Sequence, residues 1–166
     1  LRSRGLGDVY KRQAYGNGGL GIQKIYFNKP NLNLFIKNYL KKFFNSPIIV
    51  QRFLKNFNKG DKRIILINGK IAGGVLRVPK TNSIKANFHA GGKPVKTNIT
   101  LKEKLICKKI KPFLIKNGLI FVGIDVIDGY LTEINITSPT GIQEINRLNN
   151  SKIEKDIIDF VSKSLQ

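Results

Sequence analysis

Residues 119–137 read LIFVGIDVIDGYLTEINIT, two nearly all-apolar runs joined by Asp128-Gly129. Alternation at period two puts Ile120, Val122, Ile124 and Val126 on one face of the first run, so Asp125 falls on the other, polar face. In the second run Ile134 and Ile136 take the core side, and Glu133 and Asn135, two apart, share the opposite face. An Asp-Gly pair between such runs is a hairpin signal. The three oxygen-bearing side chains converge if Asp125 pairs with Glu133. That register calls for an odd loop, such as Asp128–Tyr130, in place of the two-residue turn that Asp-Gly first suggests. Two carboxylates and a carboxamide form an all-oxygen set suited to Mg²⁺ or Mn²⁺ held jointly with nucleotide phosphates. The competing reading of the same residues is a half-exposed hairpin whose polar side chains face water.

Upstream, Lys62–Ile67 and Lys70–Val78 flank Asn68-Gly69, a second hairpin signal. Arg63 and Arg77 are two of seven arginines in a lysine-dominated chain. Arginine where lysine is the compositional default points to bidentate recognition of phosphate or carboxylate. Strict two-residue pairing sets Arg63 opposite Gly74 and Arg77 on the other face; a bulge at Gly73-Gly74 would bring both to one face. Pro79–Asn98, with Gly91-Gly92, two prolines and few apolar residues, reads as a long mobile loop. Thr100 with Glu103 forms a capping-box pattern opening a helix to about Asn117, with a kink at Pro112. Cys107 sits at an interior position of that helix, where a buried, inert thiol outweighs a nucleophile. Gly141–Leu148 reads as a short helix, and Ser151 with Glu154 as another capping box opening a terminal one.

Toward the N-terminus, Pro47–Phe53 reads as a buried strand. Apolar residues from Leu32 to Phe44 recur at helical spacing behind Asn31 as N-cap. A short strand lies around Lys24–Phe27. The glycine-rich loop 16–21, with Gly18 and Gly19, would let backbone N–H groups approach phosphate, but it matches neither the Walker nor the dinucleotide pattern. Leu1–Gln13 (LRSRGLGDVYKRQ) has no apolar period and resembles translated adapter sequence at the ends of assembled reads. It is therefore left out of the fold reading, and residues 14–166 are taken as an N-terminally truncated domain. The element order is α+β, with mixed or antiparallel sheets and flanking helices.

Composition bounds the function. The chain has 166 residues, 30 Lys+Arg against 10 Asp+Glu, and a formal net charge of +20. One cysteine and one histidine, His89, exclude a disulfide framework and any multi-Cys or His-rich metal site. There is no membrane-length apolar run and no secretory signal, so a cytoplasmic location and no membrane partner are expected. The charge points naively at nucleic acid. The lysines, however, are spread singly, without the interleaved aromatics of a base-stacking platform. Codon bias toward Lys, Ile and Asn accounts for most of them, and a nucleic-acid-binding module stays as the rival from a different class.

The strings PIIVQRFL, GDKRIILINGK, VLRVP, NFHAGGK, GLIFVGIDVI and above all YLTEINITSPTGIQEI resemble the C-terminal half of prokaryotic glutathione synthetase, from about Ala14 onward. The resemblance implies an ATP-grasp fold, with ATP and Mg²⁺ (or Mn²⁺) as cofactors. It implies ATP-dependent joining of γ-glutamylcysteine to glycine through an acyl phosphate. The alternative within the class is another ATP-grasp carboxylate–amine ligase. By position, Asp125, Glu133 and Asn135 would be metal ligands, and Arg63, Arg77 and Lys85 would face the reacting phosphoryl group. Gly18, Gly19, Gln51, Phe53, Leu54 and Asp61 would hold the nucleotide, Asp61 at the ribose. Asn87, Gly91, Gly92, Ser138 and Thr140 would lie at the peptide site, with Pro79–Asn98 as a lid. Lys85 and Lys93 stand where the family has arginine, losing the bidentate fork. The family's phosphate-contacting lysine matches Arg12, inside the segment read as adapter. A longer parent protein, a homo-oligomer carrying the N-terminal substrate domain, is expected, and the piece alone is expected to be inactive.

Overall fold

The structure is a computed structural model and describes residues 9–13, 23–26, 30–42, 44, 46–80, 86, 88 and 91–165. The chain divides into two compact units, residues 1–55 and 56–166.

The first unit holds three antiparallel strands, β1 (Val9–Gln13), β2 (Gln23–Ile25) and β3 (Ile48–Arg52), and the helix α1 (Leu32–Lys42). Strand order is β2-β1-β3. The central strand β1 thus comes from the segment left out of the sequence reading, which had no apolar alternation to signal it. The Pro47–Phe53 strand is found as β3, but it is half-exposed rather than buried, with Val50 open to solvent. Asn31 does not adopt the extended conformation of an N-cap; its φ is +60°, while its carbonyl accepts from Phe35 N at 3.0 Å.

The second unit is a five-stranded antiparallel sheet of order β6-β5-β4-β7-β8. Its strands are β4 (Asp61–Ile67), β5 (Lys70–Val78), β6 (Lys93–Lys96), β7 (Phe121–Ile127) and β8 (Tyr130–Asn135). Helix α2 (Leu101–Lys116) covers one face, packing Cys107 and Leu114 on Ile64, Leu66, Val122, Ile124 and Val126. Helices α3 (Ile142–Asn149) and α4 (Ile153–Ser164) cover the other, packing Ile145 and Ile153 on Ile65, Ile67 and Val75. A strand buried on both faces needs apolar residues at every position, which is why β4 reads Ile-Ile-Leu-Ile without alternation. The face expected to be polar is therefore interior.

Both hairpins use the same device. Asn68-Gly69 and Asp128-Gly129 have positive φ throughout, +47°, +69°, +52° and +69°, as a two-residue type I′ turn requires. The return strand then inserts one extra residue. Ile65 pairs with Gly73 but Leu66 with Ile71, bulging Ala72. Asp125 pairs with Glu133 but Val126 with Leu131, bulging Thr132. The Asp125–Glu133 register is as expected, but a bulge creates it and the three-residue loop does not occur. Likewise Arg63 pairs with Val75, and the bulge that aligns it with Arg77 lies at Ala72, not at Gly73-Gly74.

Part of the expected loop is strand: β6 pairs with β5 through Val75–Lys96 to Val78–Lys93. The capping box of α2 is present, with Thr100 Oγ1 accepting from Glu103 N at 3.3 Å and Glu103 Oε2 from Thr100 N at 2.7 Å. That of α4 is not. Asn146, from α3, takes the role: its Oδ1 accepts from Ile153 N at 3.0 Å and Ser151 Oγ at 3.2 Å, and its Nδ2 donates to Glu154. Among the described residues no helix is long and apolar enough to cross a membrane.

Candidate active site

Register decides what meets on the sheet face toward α3 and α4. Asp61 pairs with Arg77, Arg63 with both Val75 and Asp125, and Asp125 with Glu133. Residues opposite one another share a face, and so do residues two apart along a strand. Asp61, Arg63, Arg77, Asp125 and Glu133 therefore gather across four strands, with Asn135, two beyond Glu133, pairing with Gly123.

The side chains at the centre form a closed ionic set. Arg63 donates from Nε to Asp125 Oδ1 at 2.6 Å and from Nη2 to Oδ2 at 3.1 Å, a bidentate fork. Its Nη1 reaches the Thr140 carbonyl at 3.0 Å. Arg77 donates from Nε to Asp61 Oδ1 at 2.5 Å and from Nη2 to Asp61 Oδ2 at 2.7 Å, and its Nη2 lies 2.9 Å from Asp125 Oδ1. Phe88 lies 5.8 Å, ring centroid to Cζ, from the Arg77 guanidinium. Arg63, Arg77 and Asp125 are 5 %, 2 % and 6 % exposed. Ions this dry are costly to bury and rarely stabilise a fold over apolar packing, which makes this cluster the candidate functional centre.

Protonation follows the geometry. Burial alone would raise the Asp125 carboxyl, but Arg77 and Arg63 outweigh it and hold it below its ordinary value. Burial pushes Asp61 the other way, above its ordinary value, and the neighbouring Asp125 adds to this while Arg77 opposes it. Burial would lower Arg77, but Asp125 and Asp61 keep its proton on more firmly than usual.

Gly123 makes room for this arrangement. A Cβ there would fall 2.6 Å from Pro139 Cβ and 3.3 Å from Arg63 Nη1. The absent side chain thus lets Arg63 lie across β7 beside Pro139 and the Thr140 carbonyl.

The expected metal set differs from the sequence picture in one respect. Asp125 is not on a solvated face; both its oxygens accept from guanidinium groups. Oδ1 accepts from two and Oδ2 from one, leaving lone-pair capacity on Oδ2. With Glu133 directly opposite and Asn135 on the same strand, the hard, all-oxygen donors fit a small divalent cation. Among the described residues no three His, Cys, Asp or Glu side chains gather as a metal cluster.

Asp61 is engaged by Arg77 through both oxygens, a pairing the sequence reading missed although Asp61 and Arg63 stand two apart in an apolar strand. Ser138 and Thr140 are exposed beside Arg63. Gly91 has φ +80° and donates to the Phe88 carbonyl at 2.9 Å, and Gly92 is buried. Gln51, Phe53 and Leu54 belong to the first unit. Gln51 pairs with Tyr10, and Lys24 Nζ sits 4.4 Å above the Phe53 ring. Gly18, Gly19, Lys85, Asn87 and His89 lie outside the described residues. Cys107, on α2, is buried against the sheet, its thiol pushed up to about 11 by burial and by Glu103, which agrees with an inert role.

This fold is the ATP-grasp fold. The chain superposes on D-cycloserine synthetase DcsG with a TM-score of 0.63 at 10 % identity, covering 89 % of this chain and 52 % of that one. It superposes on the ATP-grasp ligase PsnB, in a structure with minimal precursor, Mg and ADP, with a TM-score of 0.59 at 13 % identity, covering 97 % and 48 %. Within that fold, residues 6–150 match the family described as prokaryotic glutathione synthetase, ATP-grasp domain, and the chain belongs to that family. It is 46 % identical over 156 residues to the glutathione synthetase of Mesorhizobium japonicum, covering 94 % of this chain and 50 % of the relative. It is 40 % identical over 158 residues to that of Agrobacterium fabrum, covering 95 % and 49 %. The chain thus spans about half the length of the curated relatives it matches. The match includes residues of β1.

Proposed function

We propose that this chain is the nucleotide-handling half of a cytoplasmic ATP-dependent ligase that joins γ-glutamylcysteine to glycine. The observation that carries the reading is the buried set of Arg63, Arg77 and Asp125 facing Glu133, in a chain of the glutathione synthetase family. In such a reaction the γ-phosphoryl group of ATP passes to the cysteinyl carboxylate, releasing ADP. The glycine amine then attacks the acyl carbon, and phosphate leaves. Arg63 and Arg77 supply fixed positive charge, and the N–H groups that the carboxylates leave unused, to the transferring phosphoryl group and to the oxyanion that follows. Their geometry is set in advance by the carboxylates behind them, so little reorganisation is needed when charge develops. Asp125, Glu133 and Asn135 would hold Mg²⁺ or Mn²⁺, which neutralises phosphate charge when bound. The Thr140 carbonyl ties the Ser138–Thr140 segment to Arg63, which keeps the proposed peptide-binding residues beside the reacting group.

The test is ADP release by the enzyme containing this chain, supplied with γ-glutamylcysteine and either glycine, D-alanine or glutamate. Glycine-dependent release supports the reading, and Glu133→Gln should then lower turnover at least 100-fold. Release triggered by D-alanine or glutamate would assign the chain to another carboxylate–amine ligase. Salt-sensitive DNA binding with no response to ATP and Mg²⁺ would remove it from the ligases altogether.

A further inference from the structure

Helix α2 turns Glu103, Cys107 and Leu114 to the sheet, and its solvent side combines two features that a plain solvated helix does not need. The first is an apolar stripe. At about 100° per residue, Ile115, Leu101, Pro112 and Leu105 fall within about 80° of arc, opposite the buried side. All four are exposed, Leu101 to 75 %, Leu105 to 57 % and Ile115 to 48 %. The second is charge of one sign. Lys104 and Lys111 border the stripe on one side, Lys102, Lys109 and Lys116 border it on the other, and Lys108 lies within it. The one acidic residue of the helix, Glu103, is buried on Lys62. The Tyr130 ring, itself exposed, lies 4.4 Å from Lys102 Nζ and extends the apolar surface past the first turn. Helix α4 differs: it exposes Ile158 and Val161, but in the company of exposed Glu154, Asp156 and Asp159.

We propose that this face of α2 docks on an anionic lipid surface, the helix lying flat with its stripe in the interface and its lysine ammonium groups at the headgroups. Long lysine stems flanking an apolar stripe suit that boundary, because the stems follow the apolar side chains inward while the charges stay with the phosphates. A nucleic acid would engage the lysines but offers its phosphate backbone, with nothing apolar, to Leu101, Leu105 and Ile115. A second α2 would cover the stripe but would set lysines against lysines, with no exposed acid on either helix to pair them. Codon bias accounts for lysines and not for large apolar side chains standing in water between them. Among the described residues no helix crosses a membrane, and a helix lying in the interface plane need not. The Arg63, Arg77 and Asp125 cluster occupies the other face of the sheet, so the proposal is independent of the ligase reading.

The enzyme containing this chain is sedimented at physiological ionic strength with vesicles of phosphatidylcholine, alone or mixed with phosphatidylglycerol. Urea melts report whether each variant is folded. Expected is binding to the mixed vesicles and none to phosphatidylcholine. Leu101→Gln/Leu105→Gln/Ile115→Gln changes no charge and should weaken binding about 30-fold or more. Lys104→Gln/Lys108→Gln/Lys109→Gln should weaken it about 100-fold, each lysine beside an anionic leaflet being worth about fivefold. The same charge removed from α1, by Lys37→Gln/Lys41→Gln/Lys42→Gln, should weaken it less than about fivefold, since those lysines stay beyond a screening length from the headgroups. No binding to the mixed vesicles would overturn the proposal. So would binding indifferent to the apolar substitutions, or an equal loss from the α1 substitutions, either of which reduces it to general attraction by a basic protein. Salt-sensitive binding to duplex DNA in place of vesicles would assign the face to nucleic acid. A dimer in light scattering that the apolar substitutions dissociate would assign it to a second copy. If the apolar variant fails to fold, Leu105→Trp takes its place. Its emission should shift to the blue on mixed vesicles and be quenched by brominated phosphatidylglycerol, and an unshifted, unquenched emission would overturn the proposal equally.

Discussion

Replacing Glu103 by Ala tests how the second unit anchors α2 to its sheet. Glu103 closes the capping box on Thr100 N and also receives Lys62 Nζ, which lies 2.8 Å from both carboxylate oxygens and 2.8 Å from the Asn98 carbonyl. The side chains of Lys62 and Glu103 are 9 % and 6 % exposed. Removing one member of a buried pair costs about 3–5 kcal/mol, because the other charge is stranded. The lost capping contact, at the exposed start of a helix, adds about 0.5 kcal/mol. Against this, Lys62 and Glu103 line an open groove of about 440 Å³, which gives a stranded ammonium a route to water. The expected loss is therefore near the low end, about 3 kcal/mol. With a urea m-value of about 1.5 kcal/mol/M, the midpoint falls by about 2 M. Glu103→Gln keeps acceptors for Thr100 N and Lys62 and should lose roughly half as much. Lys62→Met with Glu103→Met removes both charges and should come back to within about 1 kcal/mol of the starting protein. A midpoint shift for Glu103→Ala worth less than about 1 kcal/mol would refute the argument. So would a double variant as unstable as the single one.

Gly123→Ala places a methyl against Pro139 and Arg63 and should cost about 1–3 kcal/mol, read as a fall in melting temperature, with AMP-PNP binding weakened as Arg63 is displaced. Asn146→Ala removes two accepted hydrogen bonds and one donated between α3 and α4 and should cost about 1–2 kcal/mol by urea titration. Cys107, with its thiol near 11 against an ordinary 9.0, should react with a disulfide reagent at pH 8 at least about 100-fold more slowly in the folded than in the unfolded chain. Because that value is raised on folding, the thiol's contribution to stability is intact below about pH 9 and is lost as pH climbs through about 11, by on the order of 2 kcal/mol. A folded chain whose melting is flat across that range at Cys107, judged against Cys107→Ala, would contradict the burial argument.

Local chemistry made much of this protein legible. Asn68-Gly69 and Asp128-Gly129 announce hairpins because few other pairs accept positive φ twice. Thr100 and Glu103 announce the start of α2 because their side chains satisfy each other's backbone donors. Asp125, Glu133 and Asn135 stand out as oxygen donors in a run that is otherwise apolar. Where local signals are absent, the sequence does not announce the element. β1 has no apolar period. β6 is a short edge strand containing Pro94. The terminal helix is capped by Asn146 from another helix, where Ser151 and Glu154 look like a self-contained box.

What the sequence alone determined is most of the inventory: the helices, every strand but β1 and β6, where the chain turns, and which residues are candidates for the chemistry. Each of those follows from contacts within about one turn or one pleat. The tertiary structure decided which of those residues meet. Bulges at Ala72 and Thr132 bring Arg77 and Glu133 to the face of Arg63 and Asp125, and no residue type at those positions marks them. A one-residue shift reverses every side chain beyond it, and the shift depends on how the whole twisted strand packs between α2 on one side and α3 and α4 on the other. The same dependence turned a polar face into a buried one. It made Asp61, two residues from Arg63 in sequence, a partner of Arg77 on the neighbouring strand.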